Sequence, residues 1–150
     1  MADTDVRSLM GEIGENHIFN LFNGTASSYK YDASKDGMIG ELSVQVKTIR
    51  LNQKTEGFWL GNNFSKTLWS NLDKVDMLFF VRIPEKPDEL ARSYLCIDHK
   101  NCWTKSYRND SVAVRNYPLT SCLQVGILSP EDSLFLLENS KMISYFKRAA

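Results

Sequence analysis

The feature that most limits how this chain can fold is an uninterrupted apolar run, Met77-Leu-Phe-Phe-Val81. A strand with apolar residues in every position must be covered on both faces, so it belongs in the centre of a sheet. Segments with helical spacing precede this run and follow it. The sequence therefore predicts an α/β fold in which a central mixed β-sheet is flanked by helices.

Three segments have the patterns expected of helices. In residues 4–22, Val6, Met10, Ile13 and His17 follow one face, together with Leu9. Residues 65–74 form the second predicted helix. Ser129-Pro130-Glu131-Asp132 combines a capping serine, a proline in the first turn and acidic residues, so a helix should start there, and one or two helices should run to about Arg148.

Alternation of apolar and polar residues predicts the strands. In residues 38–49, Leu42, Val44 and Val46 alternate with Ser43, Gln45 and Lys47, which is the period of a strand with one buried face. Shorter strands are expected at residues 28–32 and 93–97, and a polar hairpin at residues 51–58. Residues 99–124 give no clear pattern.

Length and charge set limits on the function. The chain has 150 residues, which favours a single domain covering residues 1–150. Its 18 Lys and Arg balance 18 Asp and Glu, whereas DNA-binding domains are often strongly basic. An enzyme that binds metal through carboxylates has acidic residues that offset its basic surface, so zero net charge does not exclude a nuclease.

The cysteines favour a cytoplasmic protein with reduced thiols. The chain begins without a secretory signal and contains no apolar stretch long enough for a membrane span, so we expect it to be soluble. Cys96, His99 and Cys102 have a spacing seen in zinc sites, but a closed structural site needs four ligands and no second pair follows. We therefore expect Cys96, Cys102 and Cys122 to be free thiols and His99 to be exposed.

The residues that suggest catalysis lie at one turn and on the strand after it. Gln45 and Lys47 are two residues apart, so their side chains leave the same face, and Asp36 precedes them at a turn. Phosphodiester hydrolysis uses oxygen ligands to hold Mg²⁺, which lowers the pKa of a bound water. A lysine beside that water can orient it or stabilise the developing charge.

This arrangement resembles the PD-(D/E)XK nucleases, which include restriction endonucleases and archaeal Holliday-junction resolvases. Their pattern is an acidic residue followed, after a variable gap, by (D/E)-x-K on the next strand; here it is Asp36 and Gln45-Val46-Lys47. Gln45 departs from the pattern because an amide oxygen brings no negative charge. The resemblance implies a restriction-endonuclease-like core and a Mg²⁺ cofactor, with Mn²⁺ as a possible substitute.

Members of this family often carry a further glutamate on the helix before the sheet. Glu15 is the best candidate here, because it shares a helix face with apolar residues and needs a metal or Lys47 to offset its burial. A surface salt bridge is the alternative for Glu15, and the favoured interpretation for Glu12. Asp32 competes with Asp36, whose spacing to Gln45 fits the family better. The implied site is Glu15, Asp36, Gln45 and Lys47, with metal held by Asp36, Gln45 and Glu15.

Within the family, the Gln-Val-Lys variant and Gly11-Glu-Ile-Gly-Glu15 are most similar to bacterial group I intron-encoded homing endonucleases. The likeness in motifs covers about residues 11–48. It implies a homo-oligomer, with a tetramer favoured over a dimer, that cuts both strands of a long double-stranded DNA site. Tyr145 and Phe146 are candidates for the subunit interface.

Basic and amide side chains near the site are candidates for DNA contact, with ordinary solvated side chains as an equal alternative. They are Lys30, Lys35, Arg50, Gln53 and Lys54. Other functions compatible with the sequence are a junction resolvase, a catalytically silent DNA-binding module and an interaction protein without a nucleic-acid role. Trp59, Trp69 and Trp103 are expected to anchor the core or an interface.

Overall fold

A six-stranded mixed sheet forms the centre of the molecule, which is known from a computed structural model describing residues 2–27, 35–61, 66–107 and 113–149. Helix α1 (Ala2–Phe22) leads into strands β1 (Thr25–Ala26), β2 (Gly37–Ile39), β3 (Leu42–Ile49) and β4 (Gly57–Leu60). Helix α2 (Lys66–Lys74) precedes β5 (Met77–Arg82) and β6 (Arg92–Cys96). Strands β7 (Thr104–Tyr107), β8 (Ala113–Pro118) and β9 (Cys122–Ile127) follow, and helix α3 (Pro130–Ala149) comes last.

The order of strands in the main sheet is β1-β2-β3-β5-β6-β9. Strands β3 and β5 are parallel, and the other neighbours are antiparallel. The α/β class, the mixed sheet and the central position of the apolar run in β5 are thus confirmed. A parallel pair needs a crossover connection, which here contains β4 and α2.

Each face of the main sheet has its own core. Val44, Val46, Phe79 and Val81 pack with Ile18 and Phe19 of α1 and Leu136 of α3 on one face. On the other face, Leu78 and Phe80 pack with Leu72 of α2 and with a second sheet. That sheet has the order β4-β8-β7, and Phe58 of β4 stacks on Phe80 with ring centroids 4.4 Å apart.

The second sheet was not predicted, because most of it lies in the segment that the sequence left unassigned. It is fixed to α2 by Arg115 of β8, which donates two hydrogen bonds to Asp73, at 2.7 and 3.0 Å. The same guanidinium lies between the rings of Trp69 and Trp103, at 4.5 and 4.1 Å from their centroids. Two of the three tryptophans therefore anchor the core, as expected.

All three predicted helices are present, with small shifts at their starts. Helix α3 begins as the sequence indicates, because the Ser129 hydroxyl accepts a hydrogen bond from the Asp132 amide at 3.1 Å. Leu9 is an exception to the predicted burial on α1, since 47% of its surface is exposed. No helix in the described part of the chain is both long and apolar enough to cross a lipid bilayer.

The prediction of one strand over residues 38–49 is wrong, because the segment is a hairpin. Strand β2 ends at Ile39, which pairs with Leu42 across a two-residue loop. Gly40 has a φ of 60°, a conformation that glycine adopts without strain and that suits such loops. The expected polar hairpin at residues 51–58 is a single bridge, Asn52 to Gly57, beyond which the chain joins the second sheet as β4. The strand expected at residues 28–32 lies outside the described residues.

Candidate active site

The β2–β3 hairpin holds Asp36 beside the middle of β3. Gly37 pairs with Val44, and the Asp36 amide donates to the Val44 carbonyl at 2.8 Å. The Asp36 carboxylate in turn accepts a hydrogen bond from the Val46 amide at 2.7 Å. Asp36 is therefore fixed at both its backbone and its side chain next to the Gln45-Val46-Lys47 segment.

Strand β3 presents its two sets of side chains as the alternation predicted. Val44 and Val46 face α1 and belong to the core on that side. Gln45 and Lys47 leave the opposite face of the strand, where they are neighbours at positions i and i+2. The register between β2 and β3 ends at Val44, and the described residues supply no paired strand farther along this edge.

Helix α1 brings Glu15 to this edge through a close contact with β3. A Cβ atom placed on Gly14 would collide with the Thr48 hydroxyl oxygen, so only glycine allows the helix to lie this near the strand. Glu15 follows Gly14 directly. Its carboxylate interacts electrostatically with both Asp36 and Lys47, and Lys47 interacts with both acids. Glu15, Asp36 and Lys47 thus lie within electrostatic range of one another.

Burial and like charge strongly affect the ionisation of the site. Burial, followed by repulsion from Asp36 and Glu12, raises the pKa of Glu15 from 4.5 to about 7, although Lys47 opposes the change. Burial also lowers the pKa of Lys47, against the attraction of Asp36 and Glu15. Two crowded carboxylates beside a desolvated amine form an environment that a bound cation would relieve.

Gln45 contributes a second sign of an incomplete site. The residue is only 9% exposed, and its side-chain oxygen Oε1 is buried without a hydrogen-bond donor in the described structure. A buried polar atom that lacks a partner costs about 1–3 kcal/mol, so such atoms are rare and often belong to functional sites. Amide and carboxylate oxygens are donors that suit a hard divalent cation such as Mg²⁺. By the chemistry of their donor atoms, Gln45, Asp36 and Glu15 fit the metal that the family resemblance implies.

The candidate metal ligands nevertheless carry little negative charge. Within the described residues no group of three or more His, Cys, Asp or Glu side chains is arranged to hold a metal ion. With glutamine at position 45, the candidate donors are two carboxylates and one neutral oxygen. Glu12, the weaker alternative to Glu15, is exposed on α1 as expected.

The candidate DNA-contacting residues differ in their burial and in the elements that carry them. Lys35 is half-buried next to Asp36, and Arg50 is exposed at the end of β3, where its Nη2 donates to the Ser140 hydroxyl at 2.9 Å. Gln53 and Lys54 are exposed in the turn between Asn52 and Gly57. Lys30 and the alternative acid Asp32 lie outside the described residues, as do the side chains of Tyr145 and Phe146.

The histidines and cysteines lie apart from this site. His17 packs against the sheet and shares a 2.8 Å hydrogen bond with the Ser93 hydroxyl, as expected for a satisfied core imidazole. The prediction that His99 is exposed is wrong: it is 5% exposed, and its Nε2 donates to the Leu72 carbonyl at 3.0 Å. That bond ties the turn after β6 to α2. Cys96, Cys102 and Cys122 are free thiols, as predicted.

Two residues near the site escaped the sequence analysis. Gly14 is the contact point of α1 on β3, and Arg7 lines a cleft that also contains Lys47. Arg7, Gly11 and Glu15 recur every four residues, so they share one helix face. That spacing was a usable signal for Arg7, because it places a cation two turns before the predicted catalytic glutamate.

Comparison with known proteins provides no independent assignment of the fold or the site. No protein-family profile, curated protein or solved structure matches this chain.

Proposed function

We propose that this protein is a Mg²⁺-dependent endonuclease that hydrolyses phosphodiester bonds in double-stranded DNA. We also propose that its mixed sheet is a core of the restriction-endonuclease type. The observation that carries the proposal is the convergence of Glu15, Asp36 and Lys47 at one edge of β3. They come from a helix, a turn and a strand separated in sequence, which a chance polar face on one strand would not produce.

The buried Oε1 of Gln45 supports a cation-dependent reaction rather than a purely structural role for this cluster. Asp36, Gln45 and Glu15 would hold the ion. When bound, Mg²⁺ supplies a water of lowered pKa and neutralises charge on the phosphate. The Val46 amide, by donating to Asp36, orients that carboxylate toward its neighbours.

Lys47 acts on the reacting groups in this proposal. Burial lowers the pKa of its ammonium group, and Asp36 and Glu15 oppose that change by favouring the charged form. A cation in a low-dielectric site stabilises negative charge that develops on the phosphoryl oxygens, and it can also orient the attacking water. Glu15 has a pKa near neutrality in the metal-free protein, and a bound cation would favour its ionised form, which can serve as a ligand.

The proposed biological role is based on the resemblance to intron homing endonucleases. A single site of this size cuts one strand, so cutting both strands requires at least two copies of the chain. We propose a homo-oligomer, a dimer or a tetramer, acting on a specific site. Sedimentation of the protein with and without target DNA measures the number of copies.

The direct test is cleavage of a library of duplex DNA sequences with Mg²⁺, with Mn²⁺ and with EDTA. We expect products with either metal and none with EDTA. Lys47→Met keeps the length of the side chain and should lower the cleavage rate by about a hundredfold or more. Lys100→Ala removes an exposed lysine from the turn after β6 and serves as the control. If Lys47→Met and the wild type cleave DNA at equal rates, Lys47 has no role in the reaction.

A catalytically silent DNA-binding module is the second candidate, since Gln45 leaves the site with only two carboxylates. It predicts DNA binding in EDTA and no product with either metal. A structure-selective resolvase, the third candidate, is separated from both by supplying branched and linear DNA together. Only the resolvase would cut the branched substrate in preference.

A further inference from the structure

A cleft of about 510 Å³ opens beside the candidate active site, between α1, the end of β3 and α3. Three of its lining residues are cationic, namely Arg7, Lys47 and Arg50, and none of the lining residues that the structure describes is acidic. Asp36 and Glu15 lie close enough to Lys47 to offset its charge, so Arg7 and Arg50 supply the remaining positive charge along the cleft. Positive charge of this kind attracts anions.

The two arginines are held differently. Arg50 donates from Nη2 to the hydroxyl of Ser140, a buried residue of α3, so one of its five N–H donors fixes its position. Arg7 is exposed on α1. One guanidinium is thus held in place by a hydrogen bond, whereas the other is open to solvent.

The cleft extends from the candidate active site along α1. Lys47 belongs both to the candidate active site and to the lining of the cleft, and Glu15 on α1 interacts with Lys47. Arg7 lies eight residues before Glu15 on the same helix, which corresponds to roughly 12 Å along its axis. Successive phosphates of one DNA strand rise by about 3.4 Å along the duplex axis, so this distance spans a few of them.

We propose that this cleft binds the backbone phosphates next to the scissile one, with Arg7 and Arg50 as their contacts. The inference rests on the proposed function and adds two features to it: the path of the cut strand along α1, and a role for Arg7. Guanidinium groups bind phosphate oxygens in a bidentate manner. Contacts of this kind set the position of the strand on the enzyme without recognising its sequence.

The test measures the salt dependence of DNA binding. Fluorescently labelled duplex DNA of mixed sequence is titrated with the full-length protein at several salt concentrations, with Ca²⁺ in place of Mg²⁺. Loss of one phosphate contact should reduce the slope of log affinity against log salt concentration by about 0.9. We expect this for Arg7→Ala, together with an affinity about threefold to tenfold weaker at low salt. Arg7→Lys should restore most of the slope because it keeps the charge.

Lys100→Ala is the matched control, since it removes one exposed positive charge far from the cleft and should leave the slope unchanged. If Arg7→Ala binds with the wild-type slope and affinity while the wild type binds DNA, the proposed phosphate track is wrong and the nuclease proposal stands. Equal changes in slope for Arg7→Ala and Lys100→Ala would also contradict the proposed phosphate contacts. The loss of DNA affinity would then follow from the lower net charge of the protein rather than from the cleft. If the wild type shows no salt-dependent affinity for DNA, the proposed function itself fails.

Discussion

Replacing Glu15 with glutamine should stabilise the metal-free protein above neutral pH. The change removes a carboxylate whose pKa is raised from 4.5 to about 7, first by burial and then by the charge of Asp36. A raised carboxyl pKa means that the folded state holds the proton more tightly than the unfolded chain. The resulting penalty is therefore absent in acid and grows as the pH rises from 4.5 to about 7.

The magnitude follows from the same values. A difference between 4.5 and about 7, at about 1.36 kcal/mol per pH unit, corresponds to roughly 3 kcal/mol. The side chain is only partly buried, so solvent screening reduces this to about 1–2 kcal/mol. Glu15→Gln should gain that amount in the free energy of unfolding at about pH 8 and lose most of it at about pH 5.

The assay is urea unfolding of the wild type and Glu15→Gln at both pH values in EDTA. Glu12→Gln is the control, because it changes an exposed carboxylate one turn earlier on the same helix. Repeating the series in saturating Mg²⁺ should reverse the order of stability at about pH 8, since the wild type alone keeps this ligand. A difference between Glu15→Gln and the wild type that is the same at both pH values in EDTA would refute the explanation.

Three further predictions concern the support of the site. Gly14→Ala should destabilise the fold by about 1–3 kcal/mol in urea unfolding, because its Cβ meets the Thr48 hydroxyl; an unchanged midpoint would contradict this. Burial lowers the pKa of His17, so its neutral form stabilises the protein above pH 6.5 and this stability is lost as the pH falls below it. His17→Gln should therefore show a weaker loss of stability between about pH 7 and about pH 5. Arg115→Lys should cost about 2–3 kcal/mol and alter tryptophan fluorescence, because it removes a bidentate ion pair and two ring contacts; retention of both properties would argue against this anchor.

The elements that the sequence predicted well are those with local patterns. The period of β3 separated Val44 and Val46 from Gln45 and Lys47, and Ser129 marked the start of α3. The hairpin within residues 38–49 was missed because alternation alone does not reveal a turn. The positive φ of Gly40 marks that turn and appears only in the structure.

The second sheet and the burial of His99 depend on contacts between distant segments. Strand β8 pairs with β4, more than fifty residues earlier, and His99 bonds to the Leu72 carbonyl. Neither partner can be inferred from the residues around Arg115 or His99. Long-range pairing of this kind overrides local preference, so the segment remained unassigned from sequence.

For the candidate site, the sequence suggested residues but not how they meet. The resemblance to the nuclease family pointed to Asp36, Lys47 and a glutamate on the preceding helix, where the apolar face favoured Glu15. The close approach of Gly14 to Thr48, which brings Glu15 to the edge of β3, appears only in three dimensions. The cleft next to Lys47 likewise forms from α1, β3 and α3 together.

The proposed nuclease activity requires that Glu15, Asp36 and Gln45 hold one divalent cation beside Lys47. Binding of Mn²⁺, followed by electron paramagnetic resonance, measures this without requiring a DNA target. We predict one site in the wild type, tighter binding in Gln45→Glu, which supplies a third carboxylate, and loss of the site in Asp36→Asn. Binding by Asp36→Asn as tight as that of the wild type would contradict the proposed metal site.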